Sequence, residues 1–263
     1  MVVPNETRAT YNLANFTIKD MTACGKVLRT FDAGAASMEE VAGRIVSYFF
    51  DILTDEKGGR ASSLVRFFKT HPYGELDDEL QQRARKMLGR EPDSPAMRCL
   101  VLLGTAGEKP AWNARRSSQG HQAIPLPSEA SIQQIPMFSV LIREMGLEAT
   151  SFIKPDPKLL LDLEQKNFSV FHIADALGSP YIPAQEDFVI PCGIRSVLGF
   201  GGLLPSGDIF AVILFLKVPV SRELAELFTT LSLNVKIALL PFDQAVFART
   251  TKRVGSSREK RKA

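Results

Sequence analysis

One stretch, residues 188–240, constrains the fold more than any other part of the chain. Two apolar runs, Ile194–Leu204 and Ile209–Leu216, flank Pro205-Ser206-Gly207-Asp208. That cluster favours a tight reversal, because Pro presets φ and Gly tolerates a positive one. The pattern predicts an antiparallel hairpin. Its second strand is apolar at nearly every position, so both its faces are expected inside a sheet. Pro219 ends the pattern, and Ser221 can accept a hydrogen bond from the free amides of a new helix. Behind it Leu224, Leu227, Phe228, Leu231, Val235, Ala238 and Leu239 recur at three- and four-residue steps and form one stripe. A hairpin with a long amphipathic helix laid back on it is the expected nucleus.

The remaining elements follow from shorter signals. Residues 1–36 show only a loose spacing of Phe16, Met21, Val27, Leu28 and Phe31, read as one or two short helices around Gly25. Ser37-x-x-Glu40 is a capping box, and Val41, Ile45, Tyr48, Phe49, Ile52 and Leu53 give its helix an apolar face. Ser62–Lys69 reads as a strand, His71–Gly74 as a turn and Asp77–Leu88 as a helix. Arg98–Leu103 is a second strand, and polar residues 108–127 form a long surface loop. Ser128–Met145 is helical but interrupted at Pro136. A short apolar segment follows at Leu159–Leu163, then a strand at Asn167–Ile173. Gly178–Asp187 is a loop or short helix, and Phe188–Pro191 leads into the hairpin. This order predicts an α+β fold with a mainly antiparallel sheet.

Composition narrows the class. At 263 residues, 45% hydrophobic and 23% charged, the chain suits one large globular domain with extensions. No apolar run approaches the ~20 residues that span a bilayer, and the start shows no secretory pattern, so a cytoplasmic location is expected. Cys24, Cys99 and Cys192 are too scattered for a disulfide framework or zinc knuckle. The net charge of +3 hides a division: residues 249–263 carry seven basic side chains and one acidic, leaving 25 basic against 28 acidic elsewhere. A tail of that composition is expected to be solvated, with nucleic acid a minor possibility confined to it.

Enzyme signatures are lacking: no G-x-S-x-G, Walker loop or H-E-x-x-H occurs. Gly199, Gly201 and Gly202 fall inside an apolar strand and so suit close approach of a neighbouring backbone or ligand better than phosphate binding. His71, His121 and His172 lack partners at metal-ligand spacing. Arg195 among apolar neighbours needs an acceptor, either a carboxylate such as Asp187 or an anionic ligand.

The phrases THPYGELDDELQ, HQAIPLPSE and SPYIPAQEDFVIPCGIRSVLGFGG, with the order of Gly-rich strand, apolar strand, Pro and long closing helix, carry a resemblance. Ser37–Phe242 resembles the GAF-like sensor modules found ahead of PAS and histidine-kinase domains in bacterial signalling proteins. The resemblance implies a central, mainly antiparallel sheet with helices on both sides and a long C-terminal helix. It divides the chain into an extension (1–36), a sensory domain (37–242) and a basic tail (243–263). It also implies a ligand cavity between the sheet and the segments His121–Met145 and Phe168–Asp187. Phe171, His172, Tyr181, Phe188, Cys192, Arg195 and Phe200 are its candidate wall residues. The function implied is non-enzymatic: a cytoplasmic sensor for an unidentified small molecule, signalling as a homodimer to a separate histidine kinase or other partner. The sequence names no cofactor. Two alternatives stand beside it, a methionine-sulfoxide-reductase-like enzyme using Cys192 and a ligand-free interaction scaffold.

Overall fold

The computed structural model describes residues 9–118, 121–144 and 168–248. A two-residue strand β1 (Tyr11–Asn12) leads to α1 (Ile18–Leu28), α2 (Met38–Ile52) and β2 (Leu53–Thr54), which pairs in parallel with β1. Then come β3 (Ser62–Pro72), α3 (Asp78–Leu88), β4 (Arg98–Gly107) and β5 (Ala123–Leu126). Helices α4 (Glu129–Gln133) and α5 (Pro136–Glu144) precede β6 (Phe168–Ile173), β7 (Ser196–Leu203), β8 (Ile209–Leu216) and α6 (Arg222–Leu239).

The main sheet is six-stranded and antiparallel throughout, in the order β5-β4-β3-β8-β7-β6. The expected hairpin is β7–β8, and its reversal uses Gly207 at φ +78. Strand β8 lies between β3 and β7, and its alternation divides the interior in two. Phe210, Val212, Leu214 and Leu216 enter one core, while Ile209, Ala211, Ile213 and Phe215 enter the other.

Helices α1, α2 and α6 supply the first core. Ser221 caps α6 by accepting from the Leu224 amide, and Phe228, Leu231, Val235, Ala238 and Leu239 are fully buried. The helix Arg222–Phe242, of mean hydropathy 1.3, passes by length and composition alone for a membrane span, as buried core helices also do. In this fold its stripe is spent on the sheet and on α1. Truncating one of those side chains, Phe228→Ala for instance, would cost about 3–5 kcal/mol. Helix α2 starts at Ser37, whose hydroxyl accepts from the Glu40 amide, while the Glu40 carboxylate reaches the Ala36 amide at 2.9 Å instead of that of Ser37. It presses close to β4: a Cβ at Gly104 would lie 2.7 Å from the Ala42 carbonyl oxygen.

Several boundaries differ from the sequence reading. The N-terminal extension is part of the fold, since Leu13, Phe16, Met21, Cys24 and Leu28 share the core of α2 and α6. One helix passes through Gly25, where α1 meets the Asn234 side chain too closely for a Cβ. The 108–127 loop contains β5. This is the sheet edge, so the missing amide hydrogen of Pro125 breaks no ladder. Phe188 and Val189, on the way into the hairpin, lie in a π-helical turn, Gln185–Val189. Residues 243–248 do not belong with the tail: the carbonyls of Ala245 and Val246 accept from the Met38 and Glu39 amides at 3.0 and 2.9 Å, and Val246 is buried. The segment Leu159–Leu163 and the basic run 249–263 lie outside the described residues.

Candidate ligand cavity

The second core is incompletely filled. Helices α4 and α5 and the segment 181–188 arch over the sheet and enclose a cavity of about 370 Å³. Its floor is Leu64, Arg66 and Phe68 of β3, Leu100 of β4, Phe171 of β6, and Ala211, Ile213 and Phe215 of β8. These residues share a face because strand side chains alternate. The roof is Ile135–Phe138 and Leu141; here Pro136 splits the predicted helix and opens α5. Tyr181, Ile182, Pro183, Ala184 and Phe188 make the remaining wall, with Trp112 and His121 at the rim. Phe188 is wedged edge-on between Trp112 and Phe215, with ring centroids 5.8 and 4.9 Å apart. At about a dozen water volumes, the space falls in the range of small-molecule sites.

Of the seven sequence candidates, Phe171, Tyr181 and Phe188 line this cavity. His172 and Phe200 are corrected to the opposite face. His172 follows Phe171 in the strand and so points the other way, towards the start of α6, where burial lowers its pKa and the Val220 backbone opposes the shift. Phe200 packs between Phe49 and Phe228 at 5.6 and 5.5 Å, in the helix-side core. Cys192 and Arg195 also fall outside the lining. Cys192 is half-buried at the edge of the cavity-side core, where its carbonyl accepts from Ser63. Arg195 precedes β7, is exposed, and makes no ion pair with Asp187.

The residue that the sequence reading missed is Arg66. In SLVRFFK it alternates with Leu64 and Phe68, and that period was the available signal. Its Nη2 donates to Ser118 Oγ at 3.2 Å, while its Nε is buried without a partner. Among the described residues no carboxylate lies within ion-pair distance of it. Burial pulls its pKa below the ordinary guanidinium value. Thr105 stands directly across from it in the β3–β4 register, and its hydroxyl is likewise buried and unpartnered. His121, in a left-handed conformation at φ +51, keeps an exposed face. Its imidazole is nevertheless pushed below the usual range, first by burial and then by the Arg66 charge.

A larger groove of about 930 Å³ lies at the far end of β3, beside residues 243–248. Its polar groups satisfy one another. Lys69 Nζ donates to Asp208 Oδ2 at 2.6 Å, Thr70 Oγ1 donates to Asp208 Oδ1 at 3.1 Å, and Arg98 pairs with the same carboxylate. Ser206 and Asp243 bond alongside at 2.8 Å. This network closes the hairpin turn on β3 and spends its two cations, Lys69 and Arg98, on Asp208, so the smaller cavity is the better candidate.

The thiols divide across the sheet. Cys99 belongs to the helix-side core and Cys192 to the cavity side. Burial pushes the Cys99 thiol up to about 12 and that of Cys24 to about 11, leaving both protonated and unreactive. Among the described residues no cluster of three metal-ligating side chains occurs.

No family model and no curated protein matches the chain. Among solved structures it is similar to a free methionine-R-sulfoxide reductase from Neisseria meningitidis in complex with its substrate. That match has 12% identity and a TM-score of 0.46, covering 90% of this chain and 99% of that one. It is also similar to the GAF domain of a phosphoenolpyruvate-protein phosphotransferase from Coxiella burnetii, at 12% identity and 0.44 over 86% and 95% of the two chains. A third is the phycocyanobilin-bound GAF domain of a cyanobacterial phytochrome, at 9% and 0.42 over 84% and 94%. All of these likenesses have TM-scores below 0.5 and say nothing of family, ligand or chemistry. The fold itself is α+β, a six-stranded antiparallel sheet with helices around it.

Proposed function

We propose that this protein is a sensory or regulatory domain that binds a small molecule in the cavity beneath α4 and α5. The observation that carries the reading is an apolar space enclosed on one face of a sheet whose other face holds the helix layer. Strand β8 touches both: Ala211, Ile213 and Phe215 border the cavity, and Phe210, Val212 and Leu214 border the helices. Occupancy would be felt by α1 and α6 through that strand and passed to a cytoplasmic partner, a second copy or a separate kinase. The sheet between Cys99 and Cys192 favours binding over thiol catalysis, since a nucleophilic and a resolving cysteine must meet.

Small molecules released on denaturing the purified protein would be identified by mass spectrometry. The expected result is a compound retained by the wild type and lost from Ala211→Phe, which fills the cavity floor. Retention by both, or by neither, contradicts the reading. Methionine sulfoxide reduction abolished by Cys192→Ser would replace it with the enzymatic one.

A further inference from the structure

The cavity is mostly apolar, and among the residues that line it the charged side chain is Arg66. Arg66 reaches the floor from the middle of β3, between Leu64 and Phe68, with Ile213 beside it in register on β8 and Thr105 on β4. A guanidinium has five donors in a fixed fork and cannot shed its proton at neutral pH. Taking it from water without an anion is costly, and buried arginines are therefore normally paired with a carboxylate. Here Ser118 Oγ is the acceptor, and Nε has none. The neighbouring Gln122 donates to the Ser118 carbonyl at 2.5 Å, so the group that accepts from Arg66 is itself held in place. At the other end of the β3 ladder, Lys69 and Arg98 are both satisfied by Asp208. Among the described residues, Arg66 is the cation that β3 leaves without an anion.

Resting on the cavity reading, we propose that the site selects molecules with an oxyanion head, a carboxylate or a phosphate monoester, on an apolar body. The head would sit on the free edge of the Arg66 guanidinium, within reach of the Thr105 hydroxyl and His121. The body would lie along Phe171, Ile213 and Phe215 under the Ile135–Leu141 roof. Charge-assisted hydrogen bonds from a fork to an oxyanion are about twice as strong as neutral ones. Apolar walls then discriminate by size, while Arg66 discriminates by charge.

The chain's single tryptophan, Trp112, lines this cavity, so its fluorescence reports occupancy. Decanoate, decyl phosphate and decan-1-ol would be titrated into the wild type at pH 7.5. At least one of the two acids is expected to bind about tenfold or more tightly than the alcohol. The stronger of the two identifies the head. Arg66→Met should bring that acid down to the level of the alcohol and leave the alcohol's affinity unchanged, and Arg66→Lys should restore part of the preference. Equal binding of acids and alcohol by the wild type, which requires no variant to fold, overturns the proposal and leaves the cavity reading intact. If no probe alters Trp112 emission, both are overturned.

Discussion

The ring of Phe171 lies against Gly199, its register partner on the neighbouring strand, so closely that a Cβ on Gly199 would stand 1.8 Å from Phe171 Cε1. The glycine is therefore what lets an aromatic ring form the cavity floor without filling the cavity. Gly199→Ala should tip the ring upward into that space. The expected cost is about 1–3 kcal/mol of stability, the usual penalty of overpacking, together with at least tenfold weaker binding of decanoate or decan-1-ol. Urea unfolding and Trp112 titration would measure the two. Unchanged probe affinity would mean that Phe171 does not bound the site.

Asp208 holds three groups at once: Lys69, Arg98 and the Thr70 hydroxyl. Lys69 is fully buried. Removing one partner of a buried pair leaves a charge with no compensation, which costs about 3–5 kcal/mol. Asp208→Asn should lower the urea midpoint accordingly, whereas Glu79→Gln, which breaks an exposed pair with Arg83, should change stability by under about 1 kcal/mol. Equal effects would show that the buried network adds no more stability than a surface pair.

His71 neighbours this network, with Lys69 Nζ 3.3 Å from its Nδ1 and Glu75 3.6 Å from its Nε2. Burial, with Lys69 and Arg98 adding to it and Asp208 opposing, pushes its pKa down from 6.5 to about 4. The contact with Glu75 is therefore not an ion pair at neutral pH. Between those two values the unfolded chain binds the extra proton. The stability linked to His71 is complete above about pH 6.5 and is lost as pH falls towards 4. Over that window the wild type should lose roughly 1–3 kcal/mol more than His71→Gln. Parallel pH profiles for the two proteins would contradict this.

The sequence made legible what a strong period fixes. The β7–β8 hairpin and the stripe of α6 were readable because alternation and three-to-four spacing each point to a single geometry. Strand β5 was missed because Pro125 looks like a breaker until its position at the sheet edge is known. The phase of β6 was also missed. Phe171 and His172 are adjacent, so only one can face the cavity, and nothing local says which. Phe200 pairs with Val170, which belongs to the helix-side core, and that register is a long-range fact. Arg66 was within reach of a period-two reading of β3.

The C-terminal segment divides at Ala248. Residues 249–263 carry no apolar stripe, so removing them should shift the thermal midpoint by less than ~5 °C. A cut after Phe242 also removes the carbonyls that serve Met38 and Glu39, the Asp243 bonds to Ser206 and the burial of Val246. It should lower the midpoint clearly more. Equal midpoints for the two truncations would mean that residues 243–248 add nothing to the body.

Leu233 and Ile237 of helix α6, and Leu240 just past its end, stay exposed even with α1 in place. A row of this kind suits a helix-to-helix contact across a two-fold axis. Light scattering is expected to give twice the 29.0 kDa monomer mass, returning to one on Ile237→Glu without loss of helicity. A monomer at every accessible concentration would contradict it.

On the cavity reading, ligand enters the space under α4 and α5 and not the helix-side core. Methyl NMR of the protein titrated with decanoate tests this most directly, because β8 supplies reporters to both sides. Shifts, and contacts with the bound chain, are expected at Ala211, Ile213, Leu100 and Ile124 of the cavity lining, with Val212, Leu214 and Leu198 of the helix-side core responding only weakly and without contacts. Contacts on Val212, Leu214 or Leu198, or no contacts at Ala211 and Ile213, would contradict it.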